Sequence, residues 1–210
     1  MFTLWDMKEK STDSVEKDRR VTQAKQQLRK LQRLEGKKLP SLERQNQSVS
    51  ILNHLKQHPL WDNSKSILGF MQMPDEPDIF PLLQDILECG KNLYLPRYVP
   101  ESNTYQSANI RDLKQDLTPG KYGIFEPNAT CPVINTSHMD LTLVPGLAFD
   151  SGGWRLGRGK GYYDRLLVGL DGVRCGIAFD FQWVESVPHE TLDQKMDWII
   201  TPSVVAKATD

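Results

Sequence analysis

The chain has 210 residues, with 26 lysines and arginines against 27 aspartates and glutamates and a formal net charge of −1. That length suits one α/β domain, and the balanced charge excludes an overall electrostatic case for nucleic acid or a membrane surface. Any anion site must be local. The three cysteines, Cys89, Cys131 and Cys175, are widely separated and form no Cys-x-x-Cys pair, which argues against zinc and disulfides and suits reduced thiols. No apolar run reaches the length of a membrane span, and the N-terminal stretch is mixed in charge, with neither the apolar core of a signal peptide nor the acid-poor composition of a transit peptide. A cytoplasmic location is expected.

Residues 1–13 lack periodicity and are expected to be a disordered extension, with the folded domain over 14–210. Over 14–34, Val21, Ala24, Leu28, Leu31 and Leu34 recur at three- and four-residue intervals, predicting an amphipathic helix with a strongly basic remainder. Lys25 and Arg29 lie one turn apart beside that stripe, where two cations can converge on one anion or form an ordinary solvated basic face. A polar break at 36–40 precedes Ser41, expected as the N-cap of a second helix carrying Val49, Ile51, Leu52 and Leu55. His54 and His58 on it have the spacing of two metal ligands, but no third ligand is near and a metal site is rejected.

Residues 66–73 read as the first core strand, followed by a Pro-Asp-Glu-Pro turn at 74–77. That turn falls at the carboxyl end of the strand, where open α/β sheets bind their ligands. Glu76 can accept hydrogen bonds from the N–H groups of a heterocycle, or serve as a first-turn charge of the helix over 78–89 that Gly90 ends. Residues 92–99 form a second strand, and 100–132 read as short strands and a lid-like excursion whose most ordered part is 122–127. Strands over 140–147, 173–179 and 196–201, with a helix over 162–170, complete an alternation that predicts a mostly parallel sheet.

The most informative stretch is Arg-Leu-Gly-Arg-Gly-Lys-Gly-Tyr-Tyr-Asp-Arg at 155–165. Glycines at every second position, Gly157, Gly159 and Gly161, let backbone N–H groups turn toward one centre and approach an anion, with Arg158 and Lys160 adding full charges between them. A strand before it and a helix after it make a phosphate site by geometry. The third glycine comes one residue too early for a dinucleotide fingerprint, and the chain contains no Gly-x-x-x-x-Gly-Lys-Ser/Thr.

Taken together, the Lys25-x-x-Leu28-Arg29 helix, the Glu76 turn, Pro96-Arg97-Tyr98, the run from Asp140 through Pro145-Gly146 to Asp150 and the glycine loop resemble the 5-formyltetrahydrofolate cyclo-ligase family. The resemblance extends over residues 20–201 and implies a single-domain, three-layer α/β/α fold with a mostly parallel, Rossmann-like sheet of the CoA-transferase-like type. It implies an ATP- and Mg²⁺-dependent enzyme that closes 5-formyltetrahydrofolate, with or without a polyglutamate tail, to 5,10-methenyltetrahydrofolate, releasing ADP and phosphate. A formamide is a poor electrophile; phosphorylation turns its oxygen into a leaving group, and the neighbouring anilino nitrogen then closes the ring.

Carried over position by position, the resemblance implies ATP contacts from Lys25, Arg29, Arg155, Leu156, Gly157, Arg158, Gly159, Lys160, Gly161, Tyr162 and Tyr163. It implies folate contacts from Met71, Glu76 and 158–162, catalytic roles for Arg158, Lys160 and Tyr162, and magnesium at Asp164 and Asp193, with Asp197 close enough in sequence to be confused with the latter. A monomer is expected. A non-catalytic folate- or nucleotide-binding protein of the same fold is the alternative, and a nucleic-acid contact along the basic helix 17–38 is a third reading that the near-zero net charge opposes.

Overall fold

The computed structural model describes residues 4–120, 123–134, 139–168 and 171–209, with the side chains of 4–15 left aside. Residues 1–3 of the expected extension, Tyr122 of the 122–127 segment and the last two residues of the helix expected over 162–170 lie outside the described residues. Helix α1 (Leu4–Lys38) runs into α2 (Ser41–Gln57) and α3 (Pro59–Asn63), which lead to strand β1 (Ser66–Leu68). Next come α4 (Phe80–Glu88), the hairpin β2 (Asn92–Val99) and β3 (Thr104–Ile110), then β4 (Leu117–Pro119), β5 (Phe125–Pro127) and β6 (Val133–Ile134). The last third supplies β7 (Leu141–Pro145), β8 (Ala148–Phe149), β9 (Arg155–Leu156), α5 (Tyr162–Leu167), β10 (Val173–Ile177), β11 (Trp198–Ile200) and β12 (Val205–Lys207).

Eight strands form the main sheet in the order β12-β11-β10-β7-β1-β2-β3-β6. The five central strands pair in parallel, and β12, β3 and β6 add antiparallel edges. Buried side chains fill both faces, as a covered parallel sheet requires. On one face Ile51, Leu55, Leu82, Leu83 and Ile86 of α2 and α4 pack on Ile67, Leu93, Leu141, Leu143 and Ile177; on the other, Leu166 and Leu167 of α5 join Leu68, Val144 and Ile199. This gives the three layers expected. Among the described residues no helix is long and apolar enough to cross a membrane.

The connections decide where a ligand can sit. From β1 the chain crosses through α4 to β2 on one side; from β7 it crosses through α5 to β10 on the other. Adjacent strands whose crossovers leave in opposite directions open a crevice at their carboxyl ends. The stretches that follow β1 and β7 are the Glu76 turn and the Pro145–Gly146 approach to the glycine loop. Gly146 is needed there because a Cβ on it would stand 2.6 Å from the ring of buried Phe149.

Several boundaries differ from the expectation. The first helix starts at Leu4 instead of near residue 14 and continues through Gly36. Its early turns carry no apolar stripe and extend a helix already nucleated downstream, where each added residue gains a hydrogen bond without a new nucleation cost. Gly36 lies in the last turns of that helix, where a Cβ would stand 3.3 Å from the Phe181 ring. Pro40 occupies the N-cap of α2, so Ser41 is its first helical residue. Strand β1 stops at Leu68; Gly69 still donates to the Tyr94 carbonyl at 2.9 Å, and beyond it Phe70, Met71 and Met73 line the crevice. The two histidines are structural: His54 Nδ1 lies 3.1 Å from the Thr201 carbonyl, and His58 caps α3 by accepting the Leu60 N–H at 3.2 Å while its ring meets Trp198 edge-on.

Candidate active site

The crevice is a cleft of about 370 Å³. Phe70, Met71, Met73 and Glu76 line it from the β1 side, Pro145 and Gly146 from the β7 side, and Arg155, Gly157, Arg158, Lys160, Gly161, Tyr162, Tyr163 and Asp164 from the glycine loop and α5. Residues separated by more than eighty positions thus meet in one cavity. Lys25, Arg29, Gly159 and Asp193 do not line this cavity, although Arg29 packs against Gly157 and Gly159 of the loop, and Leu156 points away from it into a small apolar cluster with Leu28 and Trp154.

The loop is built for close approach. Gly159 and Gly161 have φ of 99° and 63°, values that a side chain would strain. Among the described residues no acceptor is drawn for the backbone N–H groups of 157–161. Gly157 turns its carbonyl outward to the Arg29 Nε–H at 2.9 Å, fixing the loop to α1. The helix that follows is only six residues long, so its terminus contributes less to anion binding than the sequence pattern suggests, and the side-chain cations carry more.

Three ion-pair groups surround the loop. Arg155, 3% exposed in its side chain, donates to Asp164 Oδ1 at 2.8 Å and lies over the Tyr163 ring, while its buried Nε has no partner. Lys25 donates to Asp193 Oδ2 at 2.6 Å and Glu190 Oε2 at 2.9 Å. The Glu190 N–H also reaches Asp193 Oδ2, at 2.7 Å. Arg158 is held by Asp75 and Glu76 together. Asp75 and Glu190 escaped sequence reasoning because each is an ordinary surface-type acid until the fold supplies its cation. Asp197 accepts the Arg174 N–H at 2.7 Å and ties β11 to β10, away from Lys25.

Electrostatics follow burial. Burial raises the Glu76 carboxyl above its ordinary value, against the pull of the Arg158 charge and the Met73 N–H. Asp75 meets the same guanidinium but is half exposed; burial pushes it up, and hydrogen bonds and charge from Arg158 outweigh that, leaving it below the ordinary range. Burial lowers the Arg29 guanidinium, helped by Arg33, while Asp193, Glu190 and Asp164 pull it up. It stays charged and sits among those three carboxylates. Burial pushes the Tyr163 phenol well up, and the Glu76 charge adds to this, so Tyr163 stays a neutral hydroxyl.

The fit to a nucleotide and a divalent metal can be judged from these groups. Unpartnered N–H groups at 157–161 and the orphaned Arg155 Nε suit phosphate oxygens. Asp164 Oδ2 and Asp193 Oδ1 each have no hydrogen bond drawn among the described residues. No cluster of three or more potential metal ligands occurs among the described residues, so a metal would complete its shell with phosphate and water. Magnesium accepts that arrangement.

Elsewhere the structure explains residues of the resemblance as scaffold. Arg97 donates to the carbonyls of Asn128 and Cys131. Asp150 accepts the Val187 N–H at 2.7 Å and the Trp154 N–H at 3.0 Å, drawing the 187–193 segment toward the loop. The hairpin tip joins in: Asn103 accepts from Tyr98 at 2.9 Å and Tyr162 at 3.2 Å.

Comparison with known proteins bears on this cleft. Residues 21–202 match the model of the 5-formyltetrahydrofolate cyclo-ligase family. The 5-formyltetrahydrofolate cyclo-ligase of Mus musculus is 31% identical over 196 residues, covering 86% of this chain and 94% of its own. That of Escherichia coli K12 is 32% identical, covering 67% and 79%. The 5,10-methenyltetrahydrofolate synthetase of Aquifex aeolicus superposes with a TM-score of 0.79 at 34% identity, over 89% of this chain and 93% of the other.

Proposed function

Because this chain belongs to the 5-formyltetrahydrofolate cyclo-ligase family, we propose that its cleft closes 5-formyltetrahydrofolate to 5,10-methenyltetrahydrofolate with consumption of ATP in the presence of Mg²⁺. Cyclo-ligase activity follows from that membership. The assignment of groups within the cleft is our reading. The observation that carries it is the meeting, at the carboxyl ends of β1 and β7, of a loop with unpartnered N–H groups and a buried carboxylate, Glu76.

In this reading, ATP supplies the phosphoryl group that makes the formyl oxygen a leaving group, and Mg²⁺ neutralises the phosphates. The N–H groups of 157–161, with Arg155, Lys25 and Arg29, hold the polyphosphate. Asp164 and Asp193 each present one carboxylate oxygen to the metal. Lys160, which has no side-chain partner among the described residues, and Arg158 neutralise charge on the transferring group, and Tyr162 closes the mouth beside them. Met71 packs on the folate ring, and Glu76 accepts its N–H donors. Positioning and charge neutralisation are what phosphoryl transfer asks of a protein.

Purified protein given 5-formyltetrahydrofolate and Mg-ATP should show the near-ultraviolet absorbance of the methenyl product. No gain at high enzyme concentration sinks the reading, and ligand binding without ADP release would favour a non-catalytic binding protein. We further propose a cytoplasmic monomer, consistent with three free thiols, and a catalytic unit over 14–210. Light scattering and turnover by a chain lacking residues 1–13 test those two points.

A further inference from the structure

Four of the five N–H donors of the Arg158 guanidinium are engaged by two carboxylates. Nη1 and Nη2 donate to Asp75 Oδ2 and Oδ1 at 3.1 and 2.6 Å, and Nε and Nη2 donate to Glu76 Oε1 at 3.1 and 2.9 Å. Glu76 Oε2 accepts the Met73 N–H at 2.9 Å, so both lone pairs of Oε1 are taken by Arg158 and only one, on Oε2, is left for a ligand. A planar fork of N–H donors on a carboxylate is also what the aminopyrimidinone edge of a pteridine presents. A bidentate fork needs a free lone pair on each oxygen, and Oε1 has none while Arg158 holds it. We propose that Arg158 is a self-ligand of Glu76, occupying the place of the substrate's ring donors in the free protein, and that Asp75 is the positioning residue that holds it there. The inference rests on the folate reading of Glu76.

The physical logic runs through burial. Glu76 is 7% exposed in its side chain, and a buried carboxylate without a partner is costly. Arg158 satisfies it until the heterocycle arrives. Asp75, 42% exposed, grips the guanidinium bidentately and biases it toward Glu76 without contacting the ring site itself. Arg158 lies between Gly157 and Gly159, whose lack of Cβ atoms lets the segment re-orient when the ring displaces it. The same displacement frees a cation beside the phosphate loop, so arrival of folate would ready the site for the transferring group. Folate affinity is lowered by the fraction of molecules in which Arg158 covers Glu76.

Asp75→Asn keeps the shape and removes the charge that holds Arg158. Titration calorimetry with 5-formyltetrahydrofolate, without nucleotide, should show about three- to fivefold tighter binding, the range of a partly exposed pair. KM for folate should fall with no rise in kcat, and Asp75→Glu should restore the parent affinity. A purely structural role would give equal or weaker binding, and that result overturns the proposal. A second measurement uses the parent alone: the Arg158 Nε–H resonance, assigned by its loss in Arg158→Lys, should move on adding 5-formyltetrahydrofolate. A parent that turns over folate while this resonance stays in place refutes the self-ligand and leaves the folate reading intact. A parent that binds no folate refutes both.

Discussion

Replacing Lys25 by methionine tests the link between the first helix and the site. Its Nζ lies 2.6 Å from Asp193 and 2.9 Å from Glu190, in side chains 10%, 18% and 40% exposed respectively. Methionine keeps most of the apolar stem and removes the charge, leaving two carboxylates facing each other. Exposed pairs contribute about 0–1 kcal/mol, whereas removing one partner of a buried pair costs about 3–5 kcal/mol. The intermediate exposure places Lys25→Met at about 2 kcal/mol, or about 4–8 °C in Tm for a domain of this size. Because the missing charge sits between two oxygen ligands, Mg²⁺ should replace part of it. Thermal unfolding should therefore show the variant destabilised without metal and raised by Mg²⁺ more than the parent, while ATP affinity falls. A variant as stable as the parent, or an equal magnesium response in both, refutes the argument.

Lys160→Ala should lower kcat by about a hundredfold, the scale of one donor to developing charge, with folate affinity and stability unchanged; single-turnover rates that match the parent would return Lys160 to the solvent. Gly146→Ala puts a methyl 2.6 Å from Phe149 Cζ and 3.1 Å from Arg155 Cγ, and overpacking of this kind costs about 1–3 kcal/mol, visible as a lower denaturant midpoint. The Glu76 carboxyl, raised above its ordinary value of 4.5 by burial, takes up its proton in the native state before the unfolded chain does. Its ionised form thus costs stability at neutral pH, and the cost is relieved as pH falls toward the ordinary value. The stability of the parent relative to Glu76→Gln should rise between about pH 7 and about pH 5, with folate binding lost in the variant; a difference that is flat or falls over that window contradicts the burial argument.

Much of this protein is legible before any coordinates, where the cause is local. Alternating glycines between basic residues at 155–161 mark a loop whose N–H groups are able to face an anion, because freedom of φ and the absence of Cβ belong to glycine itself. The apolar runs that became β2, β7 and β10 were recognisable from their own composition and their alternation with helices indicated a mostly parallel sheet, whereas the three-layer class came with the family resemblance. Other features depend on partners remote in sequence. Helix α1 extends past its stripe, and β1 is cut short where Phe70, Met71 and Met73 turn to the cleft. Glu76, left open between a helix-end charge and a ligand acceptor, became a buried acid only when β1 and β7 were set side by side with crossovers leaving in opposite directions. Asp75 and Glu190 had no legible role at all, since a carboxylate's meaning comes from the cation brought to it, and Arg158 and Lys25 arrive from 83 and 165 residues away. Local stereochemistry is written into each residue, whereas electrostatic pairing and desolvation are properties of neighbours that only the folded chain assembles.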